Sequence, residues 1–362
     1  MGMKEFFKYG LGKQLKKKYL VLAVDDYGNT RVPPKRSRSS IASPKSRFDA
    51  YDTLESRDDL LQLYEVLRSV KDETGKNAIF TPFSLTNNIN SVSLRNGVFE
   101  LESVKESFKH HEQLDPKNYQ GTWTLLKDGI EEGIFAPEFH GREHFNFGSL
   151  KKLWDTSPEF RKELKEKQML FGLNHWNKEI GGRWNAAFSY YNGLNMADFR
   201  AILEEGVQNF KQVYGYSPTA FTPPAQEFPE KLIQFCNVLG LKSIDRPLLI
   251  TKSWQRKKPT IQINWQAKGK NPIRVVRNTV FEPAIKGRLS SIPRVLKDME
   301  SAFKYNKPLI ISSHRVNFCG TINPNYRSEG LSNLKSLLKE VKKHHPDIEF
   351  ISYRDLVGLL NS

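Results

Sequence analysis

Asp25 and Asp26 close the apolar run Leu20 to Val24, His140 and His144 stand four residues apart after Ile134 to Phe139, and His314 follows Leu309 to Ser312. In each case ionisable side chains stand where an apolar stretch gives way to polar sequence. Two imidazoles at that spacing can meet one ion from a helical turn or a tight loop. One carboxylate completes a ligand set with a position open for water, as a hydrolytic metal requires. Taken alone, the histidine pair also suits a solvated helix, and Asp-Asp at a strand end also suits a turn or helix cap.

These runs can share a pocket only if the fold brings their ends to one rim. Leu20 to Val24 is branched and apolar without alternation, which predicts a parallel strand buried on both faces. A helix over about 58–71, with Leu60, Leu63, Leu67 and Val70 at helical spacing, leads to a strand at 78–83. The alternation continues through helix 122–132, strand 134–139, helical sequence around 150–169, helix 196–213 and strand 219–222. Helix 229–239, strand 241–244, helix 292–305, strand 309–312, helix 331–341 and strand 348–352 complete it. The expected fold is α/β, a distorted (β/α) barrel of about seven strands, in which parallel strand ends share one rim. It forms one catalytic domain over 19–362 behind a basic arm at 1–18. Loop insertions are expected at about 29–57 and 251–288, the second holding short β-like pieces at 260–265 and 273–276.

The 362 residues are 38% hydrophobic, enough for a substantial core. Lys and Arg number 56 against 40 Asp and Glu, and the net charge of +16 favours contact with nucleic acid, a membrane surface or a charged glycan. Nucleic acid is not expected, because the chain has no zinc-finger spacing, RNA-binding aromatic signature or phosphate-binding glycine loop. Cys236 and Cys319 fit no disulfide or metal framework, no apolar run could span a bilayer, and Lys13, Lys16, Lys17 and Lys18 interrupt any leader-like stretch. A cytoplasmic protein is expected. Phe7, Leu11 and Leu15 recur every four residues among lysines, so the arm either rests on an anionic bilayer, giving peripheral membrane contact, or packs on the barrel.

In order and setting, these pieces resemble the polysaccharide deacetylase family, the NodB homology domain found among carbohydrate esterases. Val24-Asp25-Asp26-Tyr27-Gly28 is similar to its first motif and His140 to His144 to its second. Phe221-Thr222-Pro223-Pro224 approximates its third and Ile310 to His314 its last, over roughly residues 18 to 355. The resemblance implies a metal-dependent hydrolase removing an acyl group, acetyl foremost, from a sugar or polysaccharide intermediate. It implies a divalent metal on Asp26, His140 and His144, zinc ahead of cobalt, nickel or manganese. Asp25 would be the general base and His314 the general acid. Thr222, Pro223, Trp176 and Arg142 are the expected substrate contacts, and the substrate is an acetylated carbohydrate, anionic or linked to lipid or nucleotide.

Two departures stand out. Thr222 occupies the place of the family's arginine that orients the catalytic aspartate, so another cation would have to serve, Arg142 and Arg246 being two candidates, and an extra Tyr27 precedes Gly28. They leave open a non-catalytic glycan- or lipid-binding barrel. A non-haem iron oxygenase also uses two histidines and a carboxylate, but on an all-β jelly roll. Asn174-His175-Trp176-Asn177 and Gly182-Arg183-Trp184-Asn185 suit either sugar stacking or loop packing. Glu138 could support His140 as a neighbour, and His110, His111, His344 and His345 are expected in solvent.

Overall fold

The computed structural model describes residues 8–10, 12–33, 46–189, 195–250, 260–261 and 272–362. Among the described residues nine parallel strands form one sheet: β1 Tyr19–Tyr27, β2 Phe80–Leu85, β3 Glu138–Gly141, β4 Ala220–Phe221, β5 Ser243–Asp245, β6 Ile273–Val275, β7 Thr279–Val280, β8 Leu309–His314 and β9 Glu349–Phe350. Their order is β6, β5, β4, β3, β2, β1, β8, β7, and β9 pairs with the start of β1. Helices follow the strands and wrap the curled sheet, a distorted (β/α) barrel. The strands exceed the expected count of about seven because β6 and β7 arise from the stretch read as an insertion at 251–288. Residues 251–259 and 262–271 of that stretch, and 34–45 of the first insertion, lie outside the described residues.

β1 shows why the central strand reads as an unbroken apolar run. Leu20, Leu22 and Val24 pack into one core cluster, whereas Val21 and Ala23 pack into a second. The period-two alternation of a strand thus sends successive side chains to different cores, each fully buried aliphatic contributing about 1.5–3 kcal/mol.

Local chemistry sets the helix ends. The helix Arg57–Arg68 starts in a capping box, with Ser56 and Asp59 each accepting the other's backbone N–H. The helical sequence around 150–169 divides into Phe147–Thr156 and Pro158–Lys167, because Pro158 opens a new helix capped by Ser157. Sequence reading missed the antiparallel pair Asn87–Ile89 and Leu101–Ser103, the helix Val104–Leu114 and the final helix Tyr353–Asn361. His111 is consequently buried rather than in solvent. Its Nδ1–H donates to the Ser107 carbonyl at 2.8 Å, and burial lowers its pKa to about 4.

Phe7 and Leu11 lie outside the described residues, but Tyr9 and Leu15 are buried. The Leu15 N–H donates to the Asn306 carbonyl at 2.8 Å, and Lys307 Nζ donates to the carbonyls of Gly12 and Lys13 at 2.9 and 2.7 Å. The described part of the arm therefore packs on the barrel, taking Leu15 out of any membrane-facing stripe. No helix among the described residues is long and apolar enough to cross a membrane.

Candidate metal and catalytic site

Parallel pairing delivers the chemistry to one rim. Asp25 on β1 is in register with His314 on β8, and Phe139 on β3 with Phe221 on β4. The β1–β2 register slips between Val24 and Tyr27, where Asp26 takes φ +76°, a left-handed conformation that aspartate tolerates better than most residues. The extra Tyr27 is a core residue, its ring 5.5 Å edge-on to both Phe80 and Phe135. Gly28 turns the chain at φ +74°, where a Cβ would stand 3.1 Å from Val104 Cγ1, and its N–H donates to the Glu55 carboxylate at 3.1 Å.

His140 lies on β3 one residue before its end and His144 sits in the loop beyond it, both buried rather than displayed on a solvated helix. Gly141 between them holds φ +119°, and a Cβ there would come within 3.0 Å of Pro224 Cγ. Ligand atoms of Asp26, His140 and His144 all lie within 4.8 Å of one another. Asp26 Oδ1 is 3.4 Å from His140 Nε2 and 3.2 Å from His144 Nε2. The His140 Nδ1–H donates to the Thr222 carbonyl at 2.8 Å, which fixes the tautomer and leaves Nε2 with a bare lone pair. That Nε2 is buried with no hydrogen-bond partner, the state expected of an atom that binds an ion. The donor set therefore fits a divalent metal.

The arginine missing from position 222 enters from another segment. Arg277, just beyond β6, grips Asp25 with both terminal nitrogens, Nη2 to Oδ1 at 2.7 Å and Nη1 to Oδ2 at 2.8 Å. Its Nη2 also donates to Thr222 Oγ1 at 2.8 Å, and its Nε lies 2.9 Å from Asp245 Oδ2. Arg142 and Arg246 do not reach Asp25. Arg142 pairs with Glu143 and Glu205, and Arg246 with Glu230 and the carbonyls of Gln226 and Phe228.

His314, the register partner of Asp25 on β8, has 33% of its side chain exposed, and its Nδ1–H donates to Glu282 Oε1 at 2.7 Å. Burial lowers the imidazole pKa, but the buried Glu282 carboxylate outweighs this and holds it at about 9. Glu282, itself held by Arg47 and by Asn317 Nδ2, carried no motif in the sequence. Because the folded pKa lies above the ordinary value, the proton on His314 stabilises the fold below pH 6.5, and that contribution is lost as pH rises through about 9. Glu282→Gln should move the alkaline limb of kcat/KM for any acid-assisted turnover toward neutral pH. A pH–rate profile with an unmoved limb would remove Glu282 from this role.

Asp25, Asp26, His140, His144 and His314 share a cavity of about 500 Å³. Pro223, Ala225, Gln226, Asn174, Asn177, Arg31 and Arg183 line it as well. The two Trp-Asn loops thus divide their labour. Their amides and Arg183 face the cavity, whereas Trp176 packs edge-on to Phe160 and donates Nε1–H to Glu163, and Trp184 is 4% exposed. Of the expected substrate contacts, Pro223 reaches the cavity. Thr222 is buried against Arg277, while Trp176 and Arg142 are turned to the partners named above. Glu138 serves the sheet, accepting the Thr219 and Ala220 N–H groups at 2.7 and 2.8 Å and so joining β3 to β4.

No family model and no curated protein matches the chain. Among solved structures, a 4-alpha-glucanotransferase from Thermococcus litoralis aligns at 8% identity and a TM-score of 0.46, covering 95% of this chain and 40% of that one. A protein described as a polysaccharide deacetylase from Mycobacterium smegmatis aligns at 10% identity and a TM-score of 0.47, covering 97% and 94%. A CE4 family pseudoenzyme from Bacillus anthracis aligns at 10% identity and a TM-score of 0.38, covering 94% and 66%. This chain spans less than half the length of the first of these. Likenesses so remote decide nothing about chemistry, which rests on the site's own residues.

Proposed function

We propose that the protein is a metal-dependent hydrolase that removes an acyl group, acetyl foremost, from a carbohydrate. The observation that carries this is the buried Asp26, His140 and His144 donor set sharing one cavity with Asp25 and His314. A divalent ion held there, zinc first among the candidates, would polarise an acyl carbonyl and acidify water. Asp25, both of whose oxygens are fixed by Arg277, takes the proton of the attacking water on a remaining lone pair. His314 returns a proton from Nε2 to the departing sugar nitrogen or oxygen, since Nδ1 is committed to Glu282. The amides of Asn174, Asn177 and Asn185 suit a hydroxyl-rich ligand.

The non-catalytic reading rested on the arginine absent at 222 and on the basic balance; Arg277 against Asp25 weakens the first support, and the acetate-release assays below decide between the two readings. The parallel sheet also sets the protein apart from a jelly-roll oxygenase. Elemental analysis with acetate-release assays across N- and O-acetylated sugars tests the proposal. About one equivalent of divalent ion, and release abolished by chelation, are expected. Metal-replete protein that frees acetate from no sugar overturns it. His140→Ala and His144→Ala should each leave far less than one equivalent bound, since an open site loses one of its few ligands. Full occupancy in both variants would dissolve the metal centre.

A further inference from the structure

We propose that Arg31 reads an anionic group on the ligand of this cavity, so that the preferred acylated carbohydrate carries a phosphate or a carboxylate. The anion follows from Arg31 itself, whereas the acyl group rests on the hydrolase reading.

Arg31 lines the main cavity alongside Asp26, His140 and His144, and also the narrower recess beside His144. Its side chain is 12% exposed, with the guanidinium carbon 5.0 Å from the Phe48 ring centroid and 5.9 Å from that of Trp184. These rings hold the planar fork in place. Three other buried arginines of the region meet carboxylates at close range. Arg277 and Arg315 meet carboxylate oxygens at 2.7 and 2.9 Å, and Arg142 meets Glu205 at 2.5 Å. Arg31 is different. Its nearest carboxylate oxygens are Asp49 Oδ1 at 3.8 Å and Asp52 Oδ2 at 3.9 Å, which balance its charge without accepting a hydrogen bond.

Neither aspartate is free to move closer without giving up a partner. Asp52 accepts from Arg315 Nε at 3.0 Å, and Asp49 accepts the Gly172 N–H at 3.2 Å. Among the described residues Arg31 Nε, like Arg246 Nε, is buried with no hydrogen-bond partner, so the long distances to Asp49 and Asp52 are what set Arg31 apart. A rigid fork with unmet donors at a cavity wall is matched by two oxygens of one oxyanion, a geometry that neutral hydroxyls do not reproduce. Arg183, half exposed on the same cavity and 3.6 Å from Glu227 Oε1, is a second guanidinium there, and the net charge of +16 favours approach of an anionic ligand.

The test is calorimetric titration of the metal-loaded full chain with glucose, glucose 6-phosphate and glucuronate. Wild type should bind at least one charged sugar on the order of 10- to 10²-fold more tightly than glucose, the usual range for charge-assisted hydrogen bonds. Whichever of the two binds more tightly tells a phosphorylated sugar from a uronic acid. Arg31→Gln should bring the charged-to-neutral ratio close to one. Arg31→Lys, which keeps the charge facing Asp49 and Asp52, should retain part of the ratio and provides a second folded comparison. No preference in wild type, no measurable binding of any of the three, or a preference that survives both variants overturns the proposal. The last result would place the anion on the metal. Acetate release is scored separately: release with no Arg31-dependent preference sinks only the anion inference, and the preference without release sinks only the hydrolase reading.

Discussion

Asp25→Asn is expected to bind a full equivalent of divalent ion yet free acetate on the order of 10² to 10⁴-fold more slowly, the usual worth of a general base. The metal should stay because the three residues grouped to hold it are Asp26, His140 and His144, and Asp25 is not among them. Turnover should fall because a carboxamide keeps the shape of the side chain but has no lone pair basic enough to take the proton of water. The amide also presents one oxygen to a fork that grips two, at 2.7 and 2.8 Å, so a modest loss of thermal stability should accompany the kinetic loss. The pattern that matters is intact metal, lowered kcat and little change in KM. Near-normal acetate release by folded Asp25→Asn would place the base elsewhere, and loss of the ion would make Asp25 a ligand.

What could be read ahead of the structure was what is local in sequence. Asp25, Asp26, His140 and His144 were legible because each lies at the end of an apolar run or within four residues of its partner, and strand-end positions in a parallel sheet share a rim. The empty place at Thr222 was legible too, as an absence. Its filler was not. Arg277 reaches Asp25 across 252 residues of chain, from a stretch whose Lys, Gln and Asn content reads as loop. Glu282 escaped notice for the same reason, since only the pairing of β7 with β8 brings it beside His314. His111 is a different kind of miss, because its signal was present. Val104, Phe108 and His111 recur at i, i+4 and i+7 and are all buried, so the period marked one face of a helix that composition had concealed. The Trp-Asn loops show the converse limit, for residue type named both an indole and an amide as sugar contacts and packing alone decided which faced the cavity.

Replacing Arg277 should have the largest effect on stability of any single change at the site. In Arg277→Leu, Asp25 and Asp245, 8% and 3% exposed, keep their burial and lose the one guanidinium that touches both. Uncompensated buried charge of this kind costs about 3–5 kcal/mol. The pH dependence should identify the cause. Burial already raises the Asp245 pKa in the wild type, with Arg277 opposing it, so the substitution raises it further. A carboxyl whose folded pKa exceeds its unfolded value gives stability that is present at low pH and lost as pH rises through the folded value. The melting-temperature deficit should therefore be greatest at neutral pH and shrink toward pH 5, whereas a simple packing defect would be the same at both. Acetate release should fall at the same time, because Asp25 loses its orientation. Thr222→Arg introduced into the Arg277→Leu background should recover part of both losses, since Thr222 Oγ1 already lies 2.8 Å from Arg277 Nη2 and a guanidinium from β4 would enter the vacated space. A pH-independent deficit, with no recovery in the double variant, would show that Arg277 serves the barrel wall and leaves Asp25 to another partner.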